Sequence, residues 1–194
     1  MEPSTSTTLV VVGEEAPTAI RSLHRYANVR AASFHDPAGA QEPADASRRP
    51  LPSDADVARW SAGATTPYLV HDHDPLAHVA SAWVEFFDEQ ATLEVLELEI
   101  ARAVEAAGRR LIAVPDYYVV IHPEALPPTW RHWWLGVVAG ASPSRVIPWD
   151  DADDGSLARL LRRLPTGRAW PEVEEWLPGV PMQVPDRAGL GGAA

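Results

Sequence analysis

Apolar positions recur along this chain at two spacings, and segments of one kind alternate with segments of the other. Thr8–Val12 is a β-branched run closed by Gly13, which predicts a buried strand. Behind it, Pro17 suits the first turn of a helix carrying Ile20, Leu23 and Ala27 on one face. Val29–Phe34 predicts a second strand. Tyr68–Val70 opens a third that runs into His71-Asp72-His73-Asp74-Pro75. Leu76, Val79, Ala80, Trp83, Phe86 and Phe87 then fall at helical spacing, with Asp74 placed to cap that helix and Pro75 to begin it. A further helix, from about Thr92 to Ala107, turns Leu93, Leu96, Ile100 and Val104 inward, and Gly108 is placed to end it. Its Glu99–Arg102 and Glu105–Arg109 spacings suit ion pairs along the helix.

The second half continues the alternation. Leu111–Ile121 is apolar and β-rich but contains Pro115-Asp116, which predicts two short strands joined by a turn or one bulged strand. Trp130, Trp133, Trp134, Val137 and Val138 share one helix face, leaving Arg131 and His132 toward solvent. Arg145–Trp149 predicts a last strand. Leu157, Leu160, Leu161 and Leu164 form a helix face opposed by Arg159, Arg162 and Arg163, and Pro171–Leu177 a final helical turn or two. This order predicts a three-layer α/β/α sandwich with a largely parallel sheet of about five strands. A hairpin at 111–121 would instead make the sheet mixed and the fold α+β. Residues 1–194 read as one domain, with an irregular Pro/Ala/Asp-rich excursion at about 36–66 and a flexible tail at about 182–194.

Composition narrows the chemistry. There is no cysteine among the 194 residues, which excludes disulfides, thiolate nucleophiles and Cys-based metal sites. There is no lysine either, and the wealth of Ala, Pro and Arg suggests a bacterial genome of high GC content. The formal net charge is −11. Between Leu51 and Ile100 ten acids stand against Arg59 alone, a surface that repels phosphate backbones and argues against nucleic-acid binding. No signal-peptide core or membrane-spanning run is present, so a cytoplasmic location is expected.

In a parallel α/β sheet, ligands bind beyond the carboxyl ends of the strands. There the sequence places Gly13-Glu14-Glu15, His35-Asp36, His71 to Asp74, His122 with Glu124, and Asp150, Asp151, Asp153 and Asp154. His35, His71, His73, Asp74 and His122 are therefore the candidate ligands for a divalent metal, the one cofactor the residues suggest. Strand alternation would turn His71 and His73 to one side and Asp72 to the other. Neither G-x-G-x-x-G, a P-loop, nor G-x-S-x-G occurs. Trp130, Arg131, Trp149 and Trp170 are the candidate interaction residues, because Trp and Arg anchor binding hot spots. No stretch identifies a family. Two functions lead, with small-molecule binding without a metal as the remaining alternative. One is a non-catalytic interaction or regulatory module of a bacterial cytoplasmic system, docking through its acidic segment onto a protein partner or a second copy. The other is a metal-dependent hydrolase using the strand-end His and Asp residues.

Overall fold

The computed structural model describes residues 6–35, 53–150 and 156–185. Five strands, β1 (Thr7–Val12), β2 (Val29–Ala32), β3 (Tyr68–His71), β4 (Tyr117–Ile121) and β5 (Val146–Trp149), form one sheet in the order β2-β3-β1-β4-β5. Every pairing is parallel, with Val10 opposite both His71 of β3 and Tyr118 of β4. The fold is a three-layer α/β/α sandwich.

The β-branched strands at the centre are buried on both faces, as a parallel sheet requires. One face packs Leu9 and Val11 against Ile20 and Leu23 of α1 (Ala16–Ser22) with its 3₁₀ extension, and against Leu157, Leu160 and Leu161 of α7 (Ser156–Leu161). The other packs Val10, Tyr118 and Val120 against α3 (Ala77–Phe87), α4 (Leu93–Gly108) and the tryptophan helix. That helix runs from α5 (Pro128–His132) through a π-helical turn, Trp133–Val138, into α6 (Ala139–Ala141). A short α8 (Val173–Trp176) closes this layer. No helix among the described residues is long and apolar enough to cross a membrane.

Several expectations change in detail. The proline at 115 makes neither a hairpin nor a bulge. Residues 111–116 run as coil, and β4 starts only after the proline, which would leave a gap in a central ladder. Asp116 then accepts the Thr8 N–H at 2.8 Å, and the Pro115 carbonyl accepts the Trp170 indole N–H at 2.8 Å. Within the stretch expected to be irregular, α2 (Asp54–Ser61) is a helix. Ser53 and Asp56 form its capping box, a local signal that outweighs the weak apolar periodicity; residues 36–52 lie outside the described residues, as do 186–194 of the tail.

Helix α4 buries Leu96, Ile100 and Ala103 while Leu93 is exposed, and Ala27 lies beyond the end of its helix. Gly108 is the last residue of α4 rather than its stop. The chain turns at Arg110, at φ 58°, where the Arg110 and Leu111 N–H groups close onto the Ala107 and Ala106 carbonyls. The two expected ion pairs form, Arg102 to Glu99 at 2.6 Å and Arg109 to Glu105 at 3.0 Å.

Gly13 sets the geometry at the exit of β1. Its φ is +119°, and a Cβ there would lie 2.9 Å from the Ile121 carbonyl oxygen of β4. Gly13→Ala therefore meets both backbone strain and a clash, and is expected to lower stability by about 2 kcal/mol or more in urea unfolding followed by tryptophan fluorescence. A loss within about 0.5 kcal/mol would contradict this account of the turn.

Candidate functional site

The carboxyl edge of the sheet holds a cleft of about 410 Å³ lined by residues that follow β1, β2 and β3 and by two indoles from the tryptophan helix. Its position is set by topology. The chain leaves β1 toward β2 on one face, and leaves β3 toward β4 on the other, so the crossovers diverge and open a crevice beside β1. Gly13, Glu14 and Pro17 form one side. His35, Asp72 and Asp74 form another, Ser81 comes from α3, and Trp130 and Trp134 close the wall.

Two carboxylates two residues apart perform different structural tasks here. Asp72 turns toward the exit of β2, where it accepts hydrogen bonds from the Ser33 hydroxyl (2.5 Å) and the Phe34 N–H (2.6 Å). His35 Nδ1 lies 3.4 Å from the same carboxylate. Burial opposes ionisation of Asp72, but the bonds from His35, Ser33 and Phe34 outweigh it and hold the carboxyl below its ordinary range. The hydrogen bond to Asp72 in turn raises His35 above the ordinary imidazole value, against the effect of burial. His35 remains about half exposed at the cleft, an orientation that suits proton exchange with a bound molecule.

Asp74 points inward. Its Oδ1 accepts the Leu76 N–H at 2.9 Å and the Tyr118 hydroxyl at 2.8 Å. Burial pushes its carboxyl pKa up despite these bonds, and burial with the neighbouring carboxylate raises Tyr118 well above the ordinary phenol value. α3 starts at Ala77, so Asp74 lies three residues ahead of it and Pro75 two; Asp74 closes a turn onto the Leu76 N–H rather than capping the helix itself.

The strand-end histidines divide into two groups. His71, His73 and His35 gather about Phe34: His71 and His73 meet its ring edge-on at 6.0 and 6.3 Å, and His35 stacks on His73 at 6.1 Å. β3 ends at His71, so Asp72 and His73 lie beyond the strand, and His71, His73 and Asp72 all meet the Phe34–His35 segment at the exit of β2. His73 Nε2 pairs with Asp54 of α2 at 2.8 Å, and Trp60 of α2 packs on His71 and Phe34. His122 stands apart. It begins the turn after β4 in the left-handed region, with Nε2 3.4 Å from Glu15. Among the described residues no group of three His, Asp or Glu side chains is disposed to hold a metal ion. Asp36, Asp151, Asp153 and Asp154 lie outside the described residues.

Three of the four candidate interaction residues have internal bond or ring partners. Trp149 donates to Ser156 Oγ at 3.3 Å, Trp170 stacks on Trp176, and Arg131 pairs with Glu124. Trp133 and Trp134 are core as the spacing predicts, whereas Trp130 is only partly buried and reaches the cleft. His132 is only partly exposed. Its ring lies flat on Trp83, at 6.0 Å and 7° between planes, over Gly136, where a Cβ would lie 2.7 Å from the imidazole.

Sequence reasoning named Trp130 as an interaction candidate but missed the place of Trp134 in the cleft wall and the role of Asp72. Trp134 was legible only as core, and the Asp72 clamp depends on β2 lying beside β3. The chain matches no protein-family model, and comparison with curated proteins and with solved structures returns no match.

His71 supplies a test of this geometry. It is buried, its Nδ1 has no hydrogen-bond partner, and burial with the nearby His73 lowers its pKa from 6.5 to about 4. The unfolded chain therefore binds the proton more readily. The contribution of His71 is complete above pH 6.5 and is lost as pH falls toward 4, by about 3 kcal/mol. The raised His35 acts in the opposite sense, its contribution fading as pH rises through its folded value, and it is common to wild type and variant. Urea unfolding of wild type and His71→Phe should thus diverge across that acidic window, with the wild type losing more. Parallel pH profiles would contradict the assignment.

Proposed function

We propose that the protein binds a small molecule in the cleft at the carboxyl edge of its sheet, with the His35–Asp72 pair as the group that exchanges protons with it. One observation carries this reading: an oriented His–Asp pair, two indoles and a strand-crossover crevice coincide in one cleft of about 410 Å³. A smaller groove of about 270 Å³ between α3 and α4, lined by His78, Glu99 and Arg102, holds a Glu99–Arg102 ion pair and no His–carboxylate pair.

The test is a fragment screen read by the indole N–H signals in two-dimensional NMR. Fragments that bind should shift the Trp130 and Trp134 signals. Their affinity should change with pH above the ordinary imidazole value of 6.5, and should lose that dependence in His35→Gln. Fragments that bind only elsewhere, or none at all, would overturn the reading.

A second reading, docking onto a partner protein, is favoured by α4. Val95 and Leu98 are 43% and 50% exposed and lie three residues apart among Glu94, Glu97 and Glu99. A basic amphipathic segment complements such a face in both apolar contact and charge. Val95→Ser/Leu98→Ser should abolish binding of a synthetic amphipathic arginine-rich helix while leaving fragment binding in the cleft unchanged. Equal binding by wild type and variant would remove this reading.

A further inference from the structure

The cleft is lined by three carboxylates, those of Glu14, Asp72 and Asp74, and by no arginine, in a chain without lysine. Its one protonatable base, His35, is already paired with Asp72. Helix α3 begins at the cleft and would ordinarily favour an anion there, but its entrance is occupied by Asp74, whose carboxylate accepts the Leu76 N–H. Glu14 follows Gly13 where a phosphate-binding fold would present bare backbone, and it repels an anion.

A second feature is independent of the acids. Trp134 is only 5% exposed, yet it lines the cleft, and its indole N–H has no hydrogen-bond partner among the described residues. The indole nitrogens sealed from solvent without a partner are those of Trp133 and Trp176, and that of Trp134, a residue of the cleft wall, is not one of them. A buried N–H of this kind is worth most to a ligand that brings an acceptor. Beside it, the half-buried Trp130 offers an aromatic surface, the environment that attracts organic cations.

We infer that the cleft takes a small organic cation, an amine or quaternary ammonium compound that also carries a hydrogen-bond acceptor. The inference rests on the cleft being the ligand site. In the bound state Glu14 supplies the opposing charge, Trp130 the aromatic contact, and the Trp134 N–H the donor to the acceptor.

Three probes of nearly one shape and different charge test it on the full chain: choline, its uncharged isostere 3,3-dimethylbutan-1-ol, and 3,3-dimethylbutanoate. Choline should bind about tenfold or more tightly than the alcohol, shifting the Trp134 indole N–H signal, and the carboxylate should not bind. Glu14→Gln, an exposed position suited to a fold-neutral change, should weaken choline several-fold and leave the alcohol unaffected, and Trp130→Leu should weaken choline more than the alcohol. If the alcohol or carboxylate shifts the Trp130 and Trp134 signals as well as choline does, the cation preference is overturned and the cleft stands as a site. If none of the probes binds and the fragment screen also leaves both indoles unmoved, the site itself is overturned.

Discussion

The arrangement of the sheet edge depends on one buried carboxylate. Asp74 lies at the exit of β3 and is bonded by the Leu76 N–H at the entrance to α3 and by the Tyr118 hydroxyl of β4. β1 lies between the two strands thus joined, so the bond from Tyr118 reaches across the centre of the sheet. A carboxylate buried here without partners would be strongly destabilising, and one that has them fixes the positions of all three elements. The entrance to α3 is consequently held at one height above the sheet, and with it the floor of the cleft.

Asp72, two residues earlier, organises the opposite flank. Its bonds to Ser33 and Phe34 bring the exit of β2 back toward β3 and set His35 at the cleft. Phe34 is held in the same stroke among His71, His73 and Trp60. The aromatic and imidazole rings therefore join α2 to the sheet, a connection reinforced by Asp54 on His73 and by Arg30 over the Trp60 ring. One short acidic segment thus serves both architecture and site: one carboxylate is committed to the interior, the other to an imidazole that a ligand can reach.

The tryptophan-rich face contributes the remaining wall. Trp83 and Trp133 are fully buried against each other, and Trp83 donates its N–H to the Val180 carbonyl at 3.2 Å. The tryptophan helix, with its π turn over Trp133–Val138, sets His132 on Trp83 and Trp130 at the cleft. Aromatic bulk that looks like core material along the chain is therefore divided, most of it filling the layer and a little lining the crevice.

What the sequence determined by itself is the sandwich. Strand-length β-branched runs such as Thr8–Val12, alternating with the helical stripe of Leu76–Phe87, bury apolar surface in only a few ways, and those periodicities are local properties of the chain. Ion-pair signals were legible for the same reason, as at Glu105–Arg109, whereas the Ser53–Asp56 capping box went unread in a stretch whose composition suggested an irregular loop. The site was legible only as a set of polar strand ends. Which of them meet depends on strand order, and the placement of β3 between β2 and β1 is decided by packing between segments far apart in the chain. That order joined His35 to Asp72 and separated His122 from both, while the packing of α5 against α3 set His132 on Trp83. Local spacing sets which elements form; the contacts that join them, and so the cleft, belong to the tertiary structure alone.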